Sequence, residues 1–346
     1  MSANINVTAK GYSFAALEDV AVWWSPDKKH NLMTAESTPA EWMERSGQGY
    51  DVKSAPLYMR TPDGEWHEVP NRRALYHGVT NAHFGIVSPE YKIHQNSQYN
   101  ETAERLLESL NSVMDREVPG VEGLFEQPTQ FERATQGVLG QGERVWIGLR
   151  AKSHVTIANQ AHAMNISLVG DHTGKGASRT LAGTTCIVCE NTFNGALGSA
   201  AGIFALNHRK EYSQDEMIAG FAAIIQNVAE YKQVAESLLQ SEMKEAQIVA
   251  YFKSIAKIKP EEKAEDVSTR RMNQYRALWD AYNISVQREG RPANSAWSVW
   301  NAVTRYVDHS EKRDSNPARR FDSANFGPGA AMKIDALANL RQLVAA

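Results

Sequence analysis

The chain has 346 residues, of which 42% are hydrophobic and 22% are charged, and its formal net charge is -3. This composition is typical of a globular protein and excludes a mainly disordered chain. A nearly neutral chain has no overall positive field, so any nucleic-acid surface must be a local patch.

The N-terminal part predicts a helix followed by a hairpin. Thr38 is a candidate N-cap, and Glu41 lies three residues later, as in a capping box. Residues 50–60 and 65–69 have the character of strands, and the turn-forming residues 61–64 lie between them.

The middle of the chain predicts one helix and an antiparallel meander. Apolar spacing indicates a helix over residues 97–113. Glycine-containing turns at 140–142 and 171–176 separate strand-like runs. These runs cover residues 131–139, 143–152, 163–169 and 178–189.

The C-terminal half predicts helices. Asn191 and Thr192 are expected to cap a short helix, and Ser213 a long one. Trp297 and Trp300 share the apolar stripe of a later helix and are expected in the core. Further helices are predicted over 244–257, 267–282, 295–308 and 332–344.

The predicted fold class is α+β, with a mostly antiparallel β-sheet (a hairpin meander) followed by a helical C-terminal half. We expect four consecutive regions. They are an N-terminal α/β extension (1–70), an antiparallel sheet core with flanking helices (71–212), a helical region (213–310) and a basic, glycine-rich tail with a terminal helix (311–346).

The bulk properties also suggest where the protein works. Two cysteines are too few for a secreted disulfide framework. The N-terminus has no apolar signal region, and no apolar run is long enough to span a membrane. We therefore expect a cytoplasmic protein without a membrane partner.

Three stretches carry a family resemblance. They are Val-Cys-Glu-Asn-Thr-Phe at 188–193, Leu-Asn-His-Arg at 206–209, and the Trp-containing stretch at 295–309 that ends Asn-Ala-Val-Thr-Arg-Tyr-Val-Asp-His. In these stretches the chain resembles the phage/plasmid-like protein family of unknown function, from which Glu190 and Phe193 depart mildly. The resemblance runs over roughly residues 40 to 340. It implies a role in a mobile element such as a phage or plasmid and names no reaction.

A second resemblance is architectural. A hairpin sheet followed by helices is similar to the core of ring-forming single-strand annealing proteins, including phage Red beta. This resemblance implies binding of single-stranded DNA by a homo-oligomer, either a ring or a filament. It transfers no DNA-binding residue to this chain.

The strongest candidate surface from the residues themselves is one strand face. Arg144, Trp146, Arg150 and Lys152 alternate along the strand, so three cations and one aromatic ring share a side. Charge combined with stacking is how proteins hold single-stranded nucleic acid. The alternative is a partly exposed sheet face with Trp146 beneath a helix.

The glycine-rich tip at 171–176 is a second candidate. It lacks the spacing and the Ser or Thr of a nucleotide-binding phosphate loop, so a plain hairpin turn is expected. Lys175 and Arg179 on such a tip could still contact a nucleic-acid backbone.

The remaining candidates are short polar clusters. Asn191 and Thr192 at a helix start could face a phosphate, or they could simply cap that helix. Arg209 and Lys210 could be phosphate contacts or solvated surface. The neighbouring Arg72 and Arg73 have the same two interpretations.

Cys186 and Cys189 form a C-x-x-C pair, which could be half of a zinc site or a redox pair. Residues three apart on a strand point to opposite faces, which favours a packing role instead. The histidines are scattered, and Asp308-His309 is expected to be a polar helix end. We therefore predict no metal, no cofactor and no catalytic residue.

The leading hypothesis is a mobile-element nucleic-acid-binding protein, specifically an oligomeric protein that binds and anneals single-stranded DNA in recombination. One alternative is a nucleic-acid or nucleotide-processing enzyme that uses Asp171, His172, Asn191 or His208 with a metal. A second alternative is a host-interaction protein that does not bind nucleic acid.

Overall fold

The computed structural model describes most of the chain. The described residues are 12–20, 31–114, 129–186, 192–194, 203–219, 221–310 and 316–345.

The strands occupy the first two thirds of the chain. They are β1 (Tyr12–Leu17), β2 (Leu32–Met33), β3 (Val52–Arg60), β4 (Trp66–His77), β5 (His83–Val87), β6 (Phe131–Leu139), β7 (Arg144–Ile157), β8 (Gln160–Asp171), β9 (Ser178–Cys186), β10 (Thr192–Asn194) and β11 (Ile203–Leu206).

The helices are concentrated in the C-terminal half. They are α1 (Pro39–Ser46), α2 (Asn96–Met114), α3 (Gln214–Ala219), α4 (Phe221–Gln240), α5 (Glu245–Ile255), α6 (Thr269–Gln287), α7 (Ala296–His309), α8 (Pro317–Phe326) and α9 (Pro328–Ala345).

Two sheets form. The large, eight-stranded sheet has the order β10-β9-β8-β7-β6-β1-β2, and β11 also pairs with β9. The small, three-stranded sheet has the order β3-β4-β5. Within the described residues only β1 and β2 pair in parallel. The α+β class, with a mostly antiparallel sheet and a helical C-terminal half, is confirmed.

Local signals in the sequence account for the helix ends and turns that were predicted. Thr38 and Glu41 form the reciprocal bonds of a capping box at the start of α1. The Ser213 side chain accepts a hydrogen bond from the Glu216 amide, which caps α3. Gly140 and Gly142 have positive φ angles of 65° and 108° in the turn between β6 and β7.

The prediction that a helix begins at Asn191 and Thr192 is wrong at Thr192. Thr192–Asn194 is strand β10, which pairs with Gly183–Thr185 of β9. Asn and Thr are common N-caps, but pairing with the neighbouring strand decides the backbone conformation here.

The large sheet is covered on both faces. Ile147 and Leu149 point toward α2, where they join a core containing Leu106 and Leu110. Trp146, next to Ile147 on the strand, points to the opposite face and packs against Phe321 of α8. Strand β7 is therefore an interior strand, buried from both sides.

The helical half has its own dense core. Trp297 and Trp300 of α7 are 1% and 2% exposed and stack with ring centroids 5.4 Å apart, which confirms the predicted core stripe. Asp308 was expected to be a polar residue at a helix end, but it also links two helices. Its buried carboxylate forms an ion pair with the buried Lys333 of α9 at 2.5 Å. No described helix has the length and apolarity to cross a membrane.

Candidate functional site

The predicted cationic strand face exists, but the protein encloses it. Arg144, Trp146 and Arg150 do share one side of β7. Trp146 is only 2% exposed and lies between neighbouring strands and Phe321. A buried indole cannot stack on a base, so this face is not the exposed surface that the sequence predicted.

The arginines of this face are engaged within the protein. Arg144 donates to Asp171 at 2.8 Å and also pairs with Asp322 of α8. Arg150 forms ion pairs with Glu132 at 2.7 Å and with Asp19 at 2.8 Å. These contacts neutralise both guanidinium groups, which hold structural elements together instead of facing solvent.

A cleft of about 730 Å³ opens elsewhere, where the small sheet meets the tip of the β8–β9 hairpin. Its size is in the range of small-molecule sites. Its walls come from β4, β5, the segment before α2, the hairpin tip and the turn after β11. The lining residues are Arg72, Ile86, Val87, Ser88, Glu90, Tyr91, Gly174, Gly176, Asn207, His208 and Arg209.

Two glycines bring the hairpin tip close to the cleft wall. Gly174 has φ of +76°, and a Cβ there would lie 2.5 Å from a methyl group of Val87. A Cβ at Gly176 would lie 2.3 Å from the carboxylate of Asp171. Only glycine fits both positions, so this wall presents main chain. Lys175 lies between them and is exposed.

Two stacked rings, Tyr91 and His208, line the floor of the cleft, and the buried ring of His94 supports them. Tyr91 and His208 stack with centroids 4.5 Å apart, and His208 stacks on His94 at 4.2 Å. The His94 ring also lies 2.6 Å from the Ser178 hydroxyl, which in turn lies 2.5 Å from the hydroxyl of Tyr99. The cleft therefore has a rigid aromatic floor tied to β9 and α2.

Carbonyl partners define the protonation of two of these rings. His208 Nδ1 donates to the Lys92 carbonyl at 2.9 Å. His94 Nε2 donates to the Lys210 carbonyl at 3.0 Å, so its Nδ1 accepts from Ser178. Carbonyl oxygens can only accept, which assigns one proton to each neutral ring.

Burial keeps the rings uncharged. It lowers the pKa of His208 to about 4, helped by the nearby His94, and it lowers the pKa of His94 as well. Burial likewise raises the pKa of the Tyr91 hydroxyl. At neutral pH the floor is therefore a polar but uncharged surface.

Asp171 and His172 lie behind this floor in structural roles. Burial opposes ionisation of Asp171, but hydrogen bonds from Thr173 and the ion pair with Arg144 outweigh it, so its pKa lies below the ordinary value. His172 donates from Nε2 to the Asn96 side chain at 2.9 Å, and burial lowers its pKa to about 3. Within the described residues, no group of three His, Cys, Asp or Glu side chains is placed to hold a metal ion.

The charge of the cleft comes mainly from exposed cations. Arg72 and Arg209 line it, and Glu90 is the acidic residue in its lining. In the part of the chain that the structure describes, Arg72, Lys175 and Arg209 form no ion pair. These three positive charges are therefore available to a ligand.

Other predicted site residues lie outside the cleft lining. Lys152 is half exposed and lies 3.7 Å from Glu132, while Lys210 lies 3.8 Å from Glu216. Arg179 is partly exposed on β9, opposite Val169.

Three further predicted residues lie in or next to the part of the chain left undescribed. Asn191 and Cys189 lie outside the described residues, and for Thr192 only the strand backbone is described. Cys186 is buried at the end of β9, where its sulfur lies 3.7 Å from a nitrogen of Arg291. This position agrees with the packing role favoured for Cys186.

Sequence reasoning missed the aromatic floor. Tyr91, His94 and His208 are ordinary residues in the sequence, and the hydrogen bonds that hold the two histidines span 84 to 116 positions. The Leu-Asn-His-Arg stretch was the available signal, and it does bring His208 and Arg209 to the cleft.

Comparison with known proteins places the chain in a family. Residues 83–325 match the model of the family described as Domain of unknown function (DUF932), which covers more than half of the chain, and the protein belongs to that family. The match spans β5 to α8 and so includes most of the cleft. The chain matches no curated protein and no solved structure.

Proposed function

We propose that this protein binds single-stranded nucleic acid in the cytoplasm, with the backbone lying along the cleft, and that it promotes strand annealing. The observation that carries the proposal is that Arg72 and Arg209 line one open cleft from two separate elements. The exposed Lys175 lies on the hairpin tip between two lining glycines, Gly174 and Gly176. Positive charge along a groove is the main source of affinity for a nucleic-acid backbone.

The shape and chemistry of the cleft favour this ligand class. Its glycine-containing wall lets a phosphate approach the main chain closely. Its floor offers Tyr91 and the neutral His208, which add no negative charge. The proposal needs no bond-making chemistry, and the mobile-element role implied by the resemblance is part of the same proposal.

The test is binding of an oligothymidine, measured by fluorescence anisotropy over a range of salt concentrations. We expect binding that weakens as salt rises. In the triple variant Arg72→Ala/Lys175→Ala/Arg209→Ala, the slope of log K against log salt should fall by about 2, because each lost contact with a single strand contributes about 0.7.

The matched control is Lys259→Ala/Lys263→Ala/Arg270→Ala, which removes three exposed positive charges from the helical half. It should bind like the unaltered protein. Annealing of complementary strands should be slower in the cleft variant and as fast in the control variant as in the unaltered protein. Absence of binding at low salt, or equal loss in both variants, would refute the proposal.

A further inference from the structure

The small sheet holds most of the large hydrophobic side chains that the described surface exposes. Of seven such residues, five lie in or next to β3, β4 and β5, and the other two are Leu32 and Leu343. The five are Tyr58 (52% exposed), Met59 (54%), Trp66 (65%), Val79 (72%) and Ile86 (50%). Such a concentration marks an interaction surface.

Three of these residues lie on the arm, the outer part of the β3–β4 hairpin (residues 57–69). Arg60 pairs with Trp66 and Tyr58 with Glu68, so Tyr58 and Trp66 share one face. Met59 pairs with His67 and points to the other face. The face with Tyr58 and Trp66 exposes two aromatic rings and is the stronger candidate for a contact.

The open edge of β3 is poorly suited to adding another strand. Pro56 has no amide hydrogen to donate, and Lys53 places a charge on the same edge. At its base the edge is already occupied, because the Gln95 side chain bonds both the amide and the carbonyl of Val52 at 2.9 Å. The contact must therefore use the side-chain faces.

The charges of the hairpin are separated along its length. The outer end carries three acidic residues, Asp63, Glu65 and Glu68, and one basic residue, Arg60. The base carries three basic residues, Lys53, Arg72 and Arg73, and one acidic residue, Asp51. If two hairpins pack antiparallel, the acidic outer end of each lies against the positively charged base of the other. A surface that is complementary to itself when turned by a two-fold axis indicates a second copy of the same chain.

We propose that two copies of this protein associate through their arms, packed antiparallel about a two-fold axis. Tyr58 and Trp66 lie at the centre of the contact, and the charged ends of the hairpins lie at its rim. This contact does not depend on nucleic-acid binding.

The aromatic centre supplies only part of the area of such a dimer. Tyr58 and Trp66 together offer on the order of 200 Å² per copy, since aromatic side chains present about 150–250 Å² when fully exposed. The charged rim and the main chain of the hairpin supply the rest of the roughly 800 Å² per partner of a standard interface.

The first experiment is analytical ultracentrifugation of the full chain without nucleic acid. We expect a dimer whose dissociation constant rises about 100-fold or more in Tyr58→Ser/Trp66→Ser, because central aromatic residues dominate such interfaces. The control Leu32→Ser/Leu343→Ser alters two exposed hydrophobics elsewhere and should remain dimeric. A monomeric unaltered protein, or an arm variant that still dimerises, would overturn the proposal.

The second experiment tests the antiparallel arrangement. Protein carrying Glu65→Cys is mixed with protein carrying Lys53→Cys under mild oxidation, and mixed disulfide dimers should form faster than dimers of either variant alone. Dominant cross-linking of Glu65→Cys to itself would indicate parallel arms and contradict the proposal. Both measurements omit nucleic acid, so failure of the binding proposal would not affect them.

Discussion

The two sheets carry similar residues in opposite environments. In the large sheet, Arg144 and Trp146 are enclosed, because one is paired with carboxylates and the other is packed under α8. In the small sheet, Arg72 and Trp66 are exposed. Alternation along a strand shows which side chains share a face, but it does not show whether another element covers that face.

Acid should lower the free energy of unfolding, because histidines buried against the large sheet would have to take up protons. This is the largest effect we expect. Burial lowers the pKa of His162 and His172 to about 3 and that of His208 to about 4. The unfolded chain binds these protons near pH 6.5, so stability is lost as pH falls below that value. Between pH 7 and pH 5 each group should cost about 2 kcal/mol, or roughly 6 kcal/mol together.

Denaturant unfolding at pH 7, 6 and 5 measures this slope. His208→Gln removes one of the contributing histidines, so its loss of stability between pH 7 and pH 5 should be smaller by about 2 kcal/mol, whatever its stability at pH 7. The pKa of Asp171 lies below 3.8, so this carboxylate stays ionised throughout the window and does not contribute. Equal stability at pH 7 and pH 5 would show that the rings are not held neutral.

One substitution made in both sheets gives the next largest contrast. Trp146→Ala removes an indole that is 2% exposed and should cost about 3–5 kcal/mol. Trp66→Ala removes one that is 65% exposed and should change stability by less than about 0.5 kcal/mol. Chemical denaturation of the two variants at a concentration where the protein is monomeric decides the comparison. Similar losses in both would mean that Trp66 is packed within the chain.

The sequence predicted the parts of the fold that depend on neighbouring residues. The hairpins followed from turn residues, and α1 followed from its capping box. The pairing of β1 with β6 was missed, because Tyr12 and Leu139 are distant in the chain and nothing local indicates that they meet. Strand β10 was mistaken for a helix for a related reason, since its conformation depends on β9.

The candidate site was predictable only in part. Lys175 and Arg209 were identified because glycines and a basic cluster mark exposed turns. Trp146 lies beneath a helix, as the alternative interpretation of its strand face proposed. Local pattern could not choose between the two interpretations, because α8 is supplied by residues more than 170 positions later in the chain. The aromatic floor had no signal in the spacing of residues, since it forms only when the sheets have assembled.

The ion pairs of the large sheet give the smallest contrast that we expect to measure. Arg144→Met keeps much of the side-chain volume but leaves Asp171, whose side chain is 6% exposed, without its cation. Retained hydrogen bonds from Thr173 should limit the loss to about 2–3 kcal/mol, below the 3–5 kcal/mol of a fully broken buried pair. Arg72→Met in the small sheet should change stability by less than about 0.5 kcal/mol.

A double-mutant cycle separates the pair from its surroundings. If the cost of Arg144→Met is the unpaired carboxylate, then Asp171→Asn in the same chain should recover part of it, and the coupling free energy should be at least about 1 kcal/mol. Additive effects would instead assign the loss to Asp322, the other partner of Arg144 on α8. In that case the guanidinium would act mainly by holding α8 over Trp146. That cover is what makes the large sheet differ from the small sheet, whose side chains stay exposed.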